Sequence, residues 1–363
     1  MSRFRHMELL LALMPLLGFI SGALKWNSAV VFLLNILSLA PLGSWINRSI
    51  DTLAISGGRT VNEILKSTMG NSVELMIGAN AIVQRRPHIC QSVILGSVLS
   101  NLLLVLGGTI LVSGYDQKRL RFDRGLTTVL SSLMMVVFIL LALPTITEIF
   151  SSTHATSADQ VLFTQRIISV ILVVLLLTFF VFRLRTHAFL FAGTPFGPQD
   201  QIQGGHELRQ DQVLDSRIPQ SYIDKALGAF ILAIACISAF TCTYYVVSSL
   251  SGFAVIVGTN QAFIAVTLIP LFGNAVKYYS IIIKSRLRRQ VELGIRAVIN
   301  TVLRVTMLIA PLLVLLGWAR DEPLTLRFDP FEATTLLLSV VCYHYLSFFV
   351  RPEPPANVIF LGP

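Results

Sequence analysis

Along the chain, long apolar runs alternate with short charged or Gly/Pro-containing breaks. About ten runs of roughly 20 residues stand near 7–24, 28–47, 61–84, 91–113, 125–147, 165–187, 225–249, 260–283, 291–317 and 331–350. At about 1.5 Å per residue, a helix of that length crosses a hydrocarbon layer of about 30 Å. None of the runs shows the apolar/polar alternation of a barrel strand, whose lumen and lipid faces alternate. The pattern therefore predicts an all-α, polytopic membrane protein with about ten transmembrane helices.

Composition agrees, since 54% of the 363 residues are hydrophobic, 13% are charged, and the mean hydropathy is +0.73. A soluble core of this size could not absorb so much apolar surface, and the expected partner is the lipid bilayer. The formal charge of +9 does not point to nucleic acid, because the basic residues fall between the spans. Arg3 and Arg5 precede the first run, Arg48 and Arg59 follow the second, and Lys118, Arg119, Arg121 and Arg124 follow the fourth. Arg183 and Arg185 close the sixth, and Lys284, Arg286, Arg288 and Arg289 follow the eighth. The loops after the fifth and seventh runs hold no Lys or Arg. The positive-inside rule then puts both termini in the cytosol, with Arg85 and Arg86 as the exception. Cys90, Cys236, Cys242 and Cys342 lack CxxC or metal-ligand spacing and read as small apolar filler.

The polar stretch at about 190–222, rich in Gly, Gln, Asp and Pro, reads as a flexible cytosolic linker. The expected division is a first transmembrane half over 7–187, the linker over 188–224, a second half over 225–350 and a short tail over 351–363. Each half holds a Gly-Asn pair inside an apolar run: Gly70-Asn71 in MGNSVELMIGANAI and Gly273-Asn274 in LFGNAVKYYSIII. Each is followed by a span with small or polar residues, ILGSVLSNLLLVLG and IRAVINTVLRVTMLIAPLLVLLGW. This is the mark of two pseudo-symmetric halves, inverted repeats whose interrupted helices bring backbone carbonyls to a cation near the midplane.

Glu74 is the carboxylate placed deepest within a span, one helical turn from Gly70 and Asn71. Such a burial costs several kcal/mol unless a cation, a proton or a basic partner answers it. Ca²⁺ takes six to eight oxygens, which one Glu, two Asn amides, Ser hydroxyls and unwound carbonyls could supply. Protons compete for the same carboxylate, so Ca²⁺ and H⁺ are the expected transported ions. A structural ion pair is the competing reading. No nucleophile triad, Walker loop, GxGxxG turn or HExxH motif accompanies Glu74, so a transporter rather than an enzyme is expected, with no resident cofactor, and a membrane-embedded enzyme using Glu74 as an acid is the weakest of the readings.

GNSVELMIGANAI followed by QSVILGSVLSNLLLVLG resembles the first ion-binding repeat of vacuolar-type Ca²⁺/H⁺ exchangers, within the cation/Ca²⁺ exchanger superfamily. FIAVTLIPLFGNAVK, APLLVLLGW and LTLRFDPFEATTLLLSV are similar to that family's second half, and FRLRTHAFLF to its exit from the sixth span. The resemblance covers most of residues 8–350. It implies a pseudo-symmetric bundle in a vacuolar or other endomembrane, exporting cytosolic Ca²⁺ in exchange for protons. Carried over residue by residue, it implies a metal site at Asn71, Glu74, Ser97 and Ser100 from the first repeat, with Gly70, Gly96 and Asn101 beside them, and Asn274 from the second.

The second repeat departs from the pattern. Lys277 and Tyr278 stand where the family has a Glu-His pair, and Asn300, Thr301, Val302, Leu303 and Arg304 replace its Gly-Ser-Ser-x-Gln. Arg296, Asn300 and Arg304 share one helical face. Lys277, at the counterpart position to Glu74, and Arg304 are expected as internal counter-charges, with the Lys277 ammonium pairing Glu74 across the midplane. The resemblance also implies a last span after an Asn-x-x-Glu-Gly segment, which the second half lacks. The reading is a cation/proton antiporter with weakened or lost Ca²⁺ transport. Two others stay open: a transport-dead pseudo-exchanger serving as a membrane binding or scaffold protein, and a carrier of anionic small molecules.

Overall fold

The computed structural model describes residues 2–115, 124–151, 158–186, 222–287, 291–322, 324 and 328–349. The expected linker up to Ser221 and the tail 351–363 lie outside them, as do Lys118, Arg119, Arg121, Arg288 and Arg289. All regular structure among the described residues is helical, as hydrocarbon demands of backbone groups that find no water to bond. The expected all-α polytopic fold is what the structure shows.

In the first half, α1 spans Ser2–Ala23, α2 Ser28–Met69, α3 Ser72–Val83, α4 Pro87–Leu99 and α5 Leu106–Gly114. They are followed by α6 over Arg124–Ser151 and α7 over Ala158–Val181. In the second half, α8 spans Tyr222–Val257, α9 Gln261–Gly273, α10 Ala275–Leu287, α11 Val291–Arg304, α12 Ala310–Ala319 and α13 Pro330–Phe349. Starts follow capping chemistry. The Asn27 side chain accepts from the Ala29 amide at 3.0 Å before α2, and Asn260 from the Ala262 amide at 3.1 Å before α9. Pro87 opens α4, where its missing N–H costs nothing.

The runs at 28–47 and 61–84 are not two separate helices. One helical element, α2, carries the first and the beginning of the second, and the break comes at Gly70-Asn71. Within α2 the Lys66 ammonium meets the Asp51 carboxylate at 3.0 Å, whereas straight helix would hold them about 22 Å apart. The element therefore doubles back between them, as two antiparallel spans require. The second half has its own break, with α9 and α10 meeting at 58° across Asn274. Among the described residues, five helices can cross a membrane alone by length and composition, and this bent pair makes a sixth.

The spans after the breaks are alike as well. A π-helical turn, Ser100–Val105, joins α4 to α5, and another, Val305–Ile309, joins α11 to α12. Such turns widen a helix locally and often stand at functional sites. The halves interlock: α4 lies against α9, α2 along α8, α10 on α5, and α11 on α5 and α6. Ile77, Ile89, Val298, Val302 and Leu313 fill the centre. Outward residues such as Val174 and Leu177 on α7, or Phe230 and Ile237 on α8, are exposed and face the lipid.

Arg85 and Arg86, the exception to the charge pattern, are held by protein. Arg85, with a positive φ of 57°, pairs with Glu322 at 3.2 Å, and Arg86 donates to the Val247 carbonyl at 3.0 Å and the Ser251 hydroxyl at 2.8 Å. All four cysteines are free thiols.

Candidate functional site

The two helix breaks meet inside the bundle. At the first, the Gly70 amide donates to the Lys66 carbonyl at 3.2 Å, and Asn71 leaves helical geometry at φ −122°, ψ 34°. At the second, the Asn274 amide donates to the Pro270 carbonyl at 3.1 Å, and Asn274 adopts φ −113°, ψ 10°. Glu74 and Lys277 each follow their asparagine by three positions, one turn into the next helix.

The side chains cross between the breaks. Asn274 Nδ2 donates to Glu74 Oε1 at 2.9 Å, and Lys277 Nζ donates to Asn71 Oδ1 at 2.6 Å. Each asparagine thus holds the charged residue of the opposite half. Ser97 on α4 donates to the same Glu74 oxygen at 3.0 Å. Asn101 Nδ2 donates to the Ser97 carbonyl at 2.7 Å and to the Tyr278 hydroxyl at 3.4 Å. That hydroxyl is ringed by Asn274, Ser97 and Ser100. Asn71, Glu74, Ser97, Asn101 and Asn274 are buried, while Ser100 and Lys277 are half-buried. Gly96 permits the approach, since a Cβ there would run into the Val266 carbonyl of α9.

The structure thus brings Asn71, Glu74, Ser97, Ser100 and Asn274 into one cluster with Lys277, but not with the contact expected for the lysine. Among the described residues no ion pair within 4.0 Å joins Lys277 to Glu74. Glu74 Oε1 is already taken by Ser97 and Asn274, and the ammonium instead finds Asn71 Oδ1 and, at 3.3 Å, the Gly70 carbonyl. It remains within electrostatic reach of Glu74 and Arg304.

Arg304 is placed as a counter-charge of a different kind. Its Nη1 donates to the Lys66 carbonyl at 3.4 Å, so Arg304 and Lys277 both serve the C-terminal end of α2. Helix C-termini carry unpaired carbonyls and partial negative charge, which draw cations. In a cation site these carbonyls would be ligands; here two resident cations hold them. Arg296, on the same face of α11 and about two turns before Arg304, is buried.

Three buried atoms of the cluster have no hydrogen-bond partner: Glu74 Oε2, Asn101 Oδ1 and Asn71 Nδ2. Two are acceptors, the chemistry a proton or a small cation satisfies. Among the described residues no group of three His, Cys, Asp or Glu gathers, and Glu74 is the carboxylate that acts on both Lys277 and Tyr278. Carbonyls of the unwound breaks are expected participants; that the Gly70 and Lys66 carbonyls are the ones, and that Lys277 and Arg304 take them, carries no residue-type signal. Asn80 reaches across the halves too, donating to Thr243 at 2.8 Å and the Phe240 carbonyl at 3.0 Å.

Known proteins extend the picture. A family model described as sodium/calcium exchanger protein matches residues 27–189 and 225–361. The chain is 28% identical over 348 residues to the vacuolar calcium ion transporter of Schizosaccharomyces pombe, covering 94% of this chain and 78% of that one. It is 26% identical over 324 residues to a Ca²⁺/H⁺ antiporter of Aphanothece halophytica, covering 89% and 85%. In architecture it is similar to native YfkE, with a TM-score of 0.74 at 23% identity over 93% of this chain and 90% of that one. The H⁺/Ca²⁺ exchanger CAX superposes with a TM-score of 0.61 at 12% identity, over 95% and 82%. These two structures speak for the fold.

Proposed function

Because the chain belongs to the sodium/calcium exchanger protein family, a family of membrane transporters and not of enzymes, we propose that it is a cation/proton antiporter of the Ca²⁺/H⁺ type whose calcium step is weakened by a resident ammonium. The crossed pairing carries this reading: Asn274 on Glu74 and Lys277 on Asn71. Glu74 offers one free oxygen to the transported ion or to a proton, and the two compete for it. Exchange follows if the halves rock about the breaks, exposing Glu74 to one side and then the other.

The charge balance sets the weakness. A divalent ion needs about two negative charges in a dry cavity; one carboxylate supplies half. A unit positive charge about 4 Å from such an ion costs several kcal/mol even at an effective dielectric near 20. That lowers affinity by about a thousandfold or more. Lys277 and Arg304 also occupy carbonyls that would otherwise be ligands. Residence in a vacuolar or other endomembrane, with the basic loops in the cytosol, is supported by the names of relatives such as the vacuolar calcium ion transporter and by the charge of those loops.

A second reading is favoured by the same lysine. If its contacts to Asn71 and Gly70 are permanent, the fold is a transport-dead bundle kept for binding. Uptake of radiolabelled calcium into vesicles containing the purified protein, driven by an imposed pH gradient, separates the two. The antiporter gives slow uptake that Glu74→Gln abolishes, by at least about a hundredfold. A well-folded parent that takes up no calcium at any concentration overturns it in favour of the transport-dead reading.

A further inference from the structure

Away from the central cluster, a cleft of about 680 Å³ opens between α2 and the beginning of α8, lined by Trp45, Arg48, Thr52, Leu227, Gly228 and Ile231 among others. We propose that this cleft binds an anionic phospholipid of the leaflet on the basic-loop side, with Arg48 on the phosphate and the acyl chains against α8. The cleft is of a size that holds a small-molecule ligand or a lipid headgroup with its glycerol.

Its wall is lipid-facing. Leu227 is 54% exposed and Ile231 41%, and the stripe continues through Phe230, Ile234 and Ile237 at helical spacing. In a chain of this composition such a face meets acyl chains, not water. The close approach of α8 to α2 forms the floor: a Cβ on Gly228 would sit 3.3 Å from the Thr52 methyl.

Its rim is cationic. Arg48 is exposed, and no acidic partner among the described residues meets its guanidinium. The nearby acid, Asp51, is already paired with Lys66 at 3.0 Å. The Thr52 hydroxyl is spent on the Arg48 carbonyl at 3.0 Å, which leaves the guanidinium as the donor for an incoming phosphate, a geometry suited to bidentate bonding. Trp45, one turn away and half-buried, is the aromatic expected at headgroup depth. An apolar wall running on from a cationic rim fits a tethered phosphate with hydrocarbon below it, and basic pockets between transmembrane helices recognise such headgroups. The site lies where the second half begins, so an occupying lipid would brace the junction of the halves.

The test uses the full-length purified protein in neutral detergent, reading the melting temperature against added lipid. Phosphatidylglycerol is expected to raise it saturably, whereas phosphatidylcholine and soluble glycerol phosphate leave it unchanged. Arg48→Gln should weaken half-saturation about fivefold, the worth of one arginine near an anionic surface, and Arg48→Lys should keep most of the response. Ile231→Trp, which fills the cleft and leaves the charge, should lose the response too. Equal stabilisation by phosphatidylcholine, a parent-like response in both Arg48→Gln and Ile231→Trp, or full reproduction by glycerol phosphate alone would each overturn the proposal. None of these readings depends on whether the protein moves calcium.

Discussion

The two helix breaks are built to one plan and carry opposite charge. Both consist of a Gly-Asn pair whose asparagine leaves helical geometry, both place an ionisable residue one turn later, and both precede a span interrupted by a π-helical turn. At the first break that residue is Glu74; at the second it is Lys277. Each asparagine still reaches across to the charged side chain of the other half, as an acceptor at Asn71 and a donor at Asn274. An amide can do either, since it has both an acceptor oxygen and a donor nitrogen. The scaffold of the break is therefore separable from the charge it presents. An amide at the crossing point lets one repeat change sign without unpicking the architecture.

The strongest way to break the comparison is to make the charges alike. Lys277→Glu removes the cation and restores a second carboxylate, so the cavity charge falls by two. Calcium binding should rise by about a thousandfold or more relative to the parent, read as calcium-dependent thermal stabilisation and as uptake driven by a pH gradient. Asn71 can turn its amide to donate to the new carboxylate, much as Asn274 donates to Glu74. A variant that folds with no gain in calcium affinity would show that the second repeat lost more than its charge, with Arg304 on the Lys66 carbonyl the next obstacle.

A smaller effect is expected from the packing that differs between the repeats. On α4, Gly96 leaves no room for a side chain because the Val266 carbonyl of α9 lies against it. On α11 the bundle accepts Arg296, Asn300 and Arg304 within three turns. Gly96→Ala must push α4 from α9 and move Ser97 away from Glu74, at a cost of about 1–3 kcal/mol typical of overpacking. Thermal unfolding should show the loss, and calcium uptake should fall further than the stability change alone explains. Parent-like melting and uptake would mean that the α4–α9 contact is looser than the structure shows.

What the amino-acid pattern reveals of this site is decided by which atoms are involved. Glu74 and Lys277 are legible because a charge within an apolar run is rare and costly. The Gly-Asn breaks are legible because they recur. The crossed pairing is not, since its partners lie 200 and 206 positions apart, and whether Asn71 or Glu74 meets the ammonium turns on side-chain direction within one helical turn. The breaks announce that some carbonyls are freed, but not that Lys277 and Arg304 take those of Gly70 and Lys66, since every residue has a carbonyl. The doubling back within α2 is legible as the break between the runs at 28–47 and 61–84, whereas the Asp51–Lys66 contact that closes it is not.

The gentlest probe compares neighbouring glycines in one span. Gly107 and Gly108 follow the π-helical turn of the first half, and small residues there suggest close helix packing. The structure separates them. A Cβ on Gly107 would meet nothing within 4 Å, whereas one on Gly108 would sit 2.9 Å from the Ile282 Cδ1 of α10. Gly107→Ala should thus be neutral or stabilising by up to about 1 kcal/mol, the gain of alanine over glycine in a helix. Gly108→Ala should lose that gain in displacing Ile282, whose terminal methyl can shift at modest cost. Melting temperatures ranked with Gly107→Ala above Gly108→Ala would place α10 against the Gly108 side of α5. The reverse ranking would mean that the second break sits rotated about the first, and with it the crossing of Lys277 to Asn71.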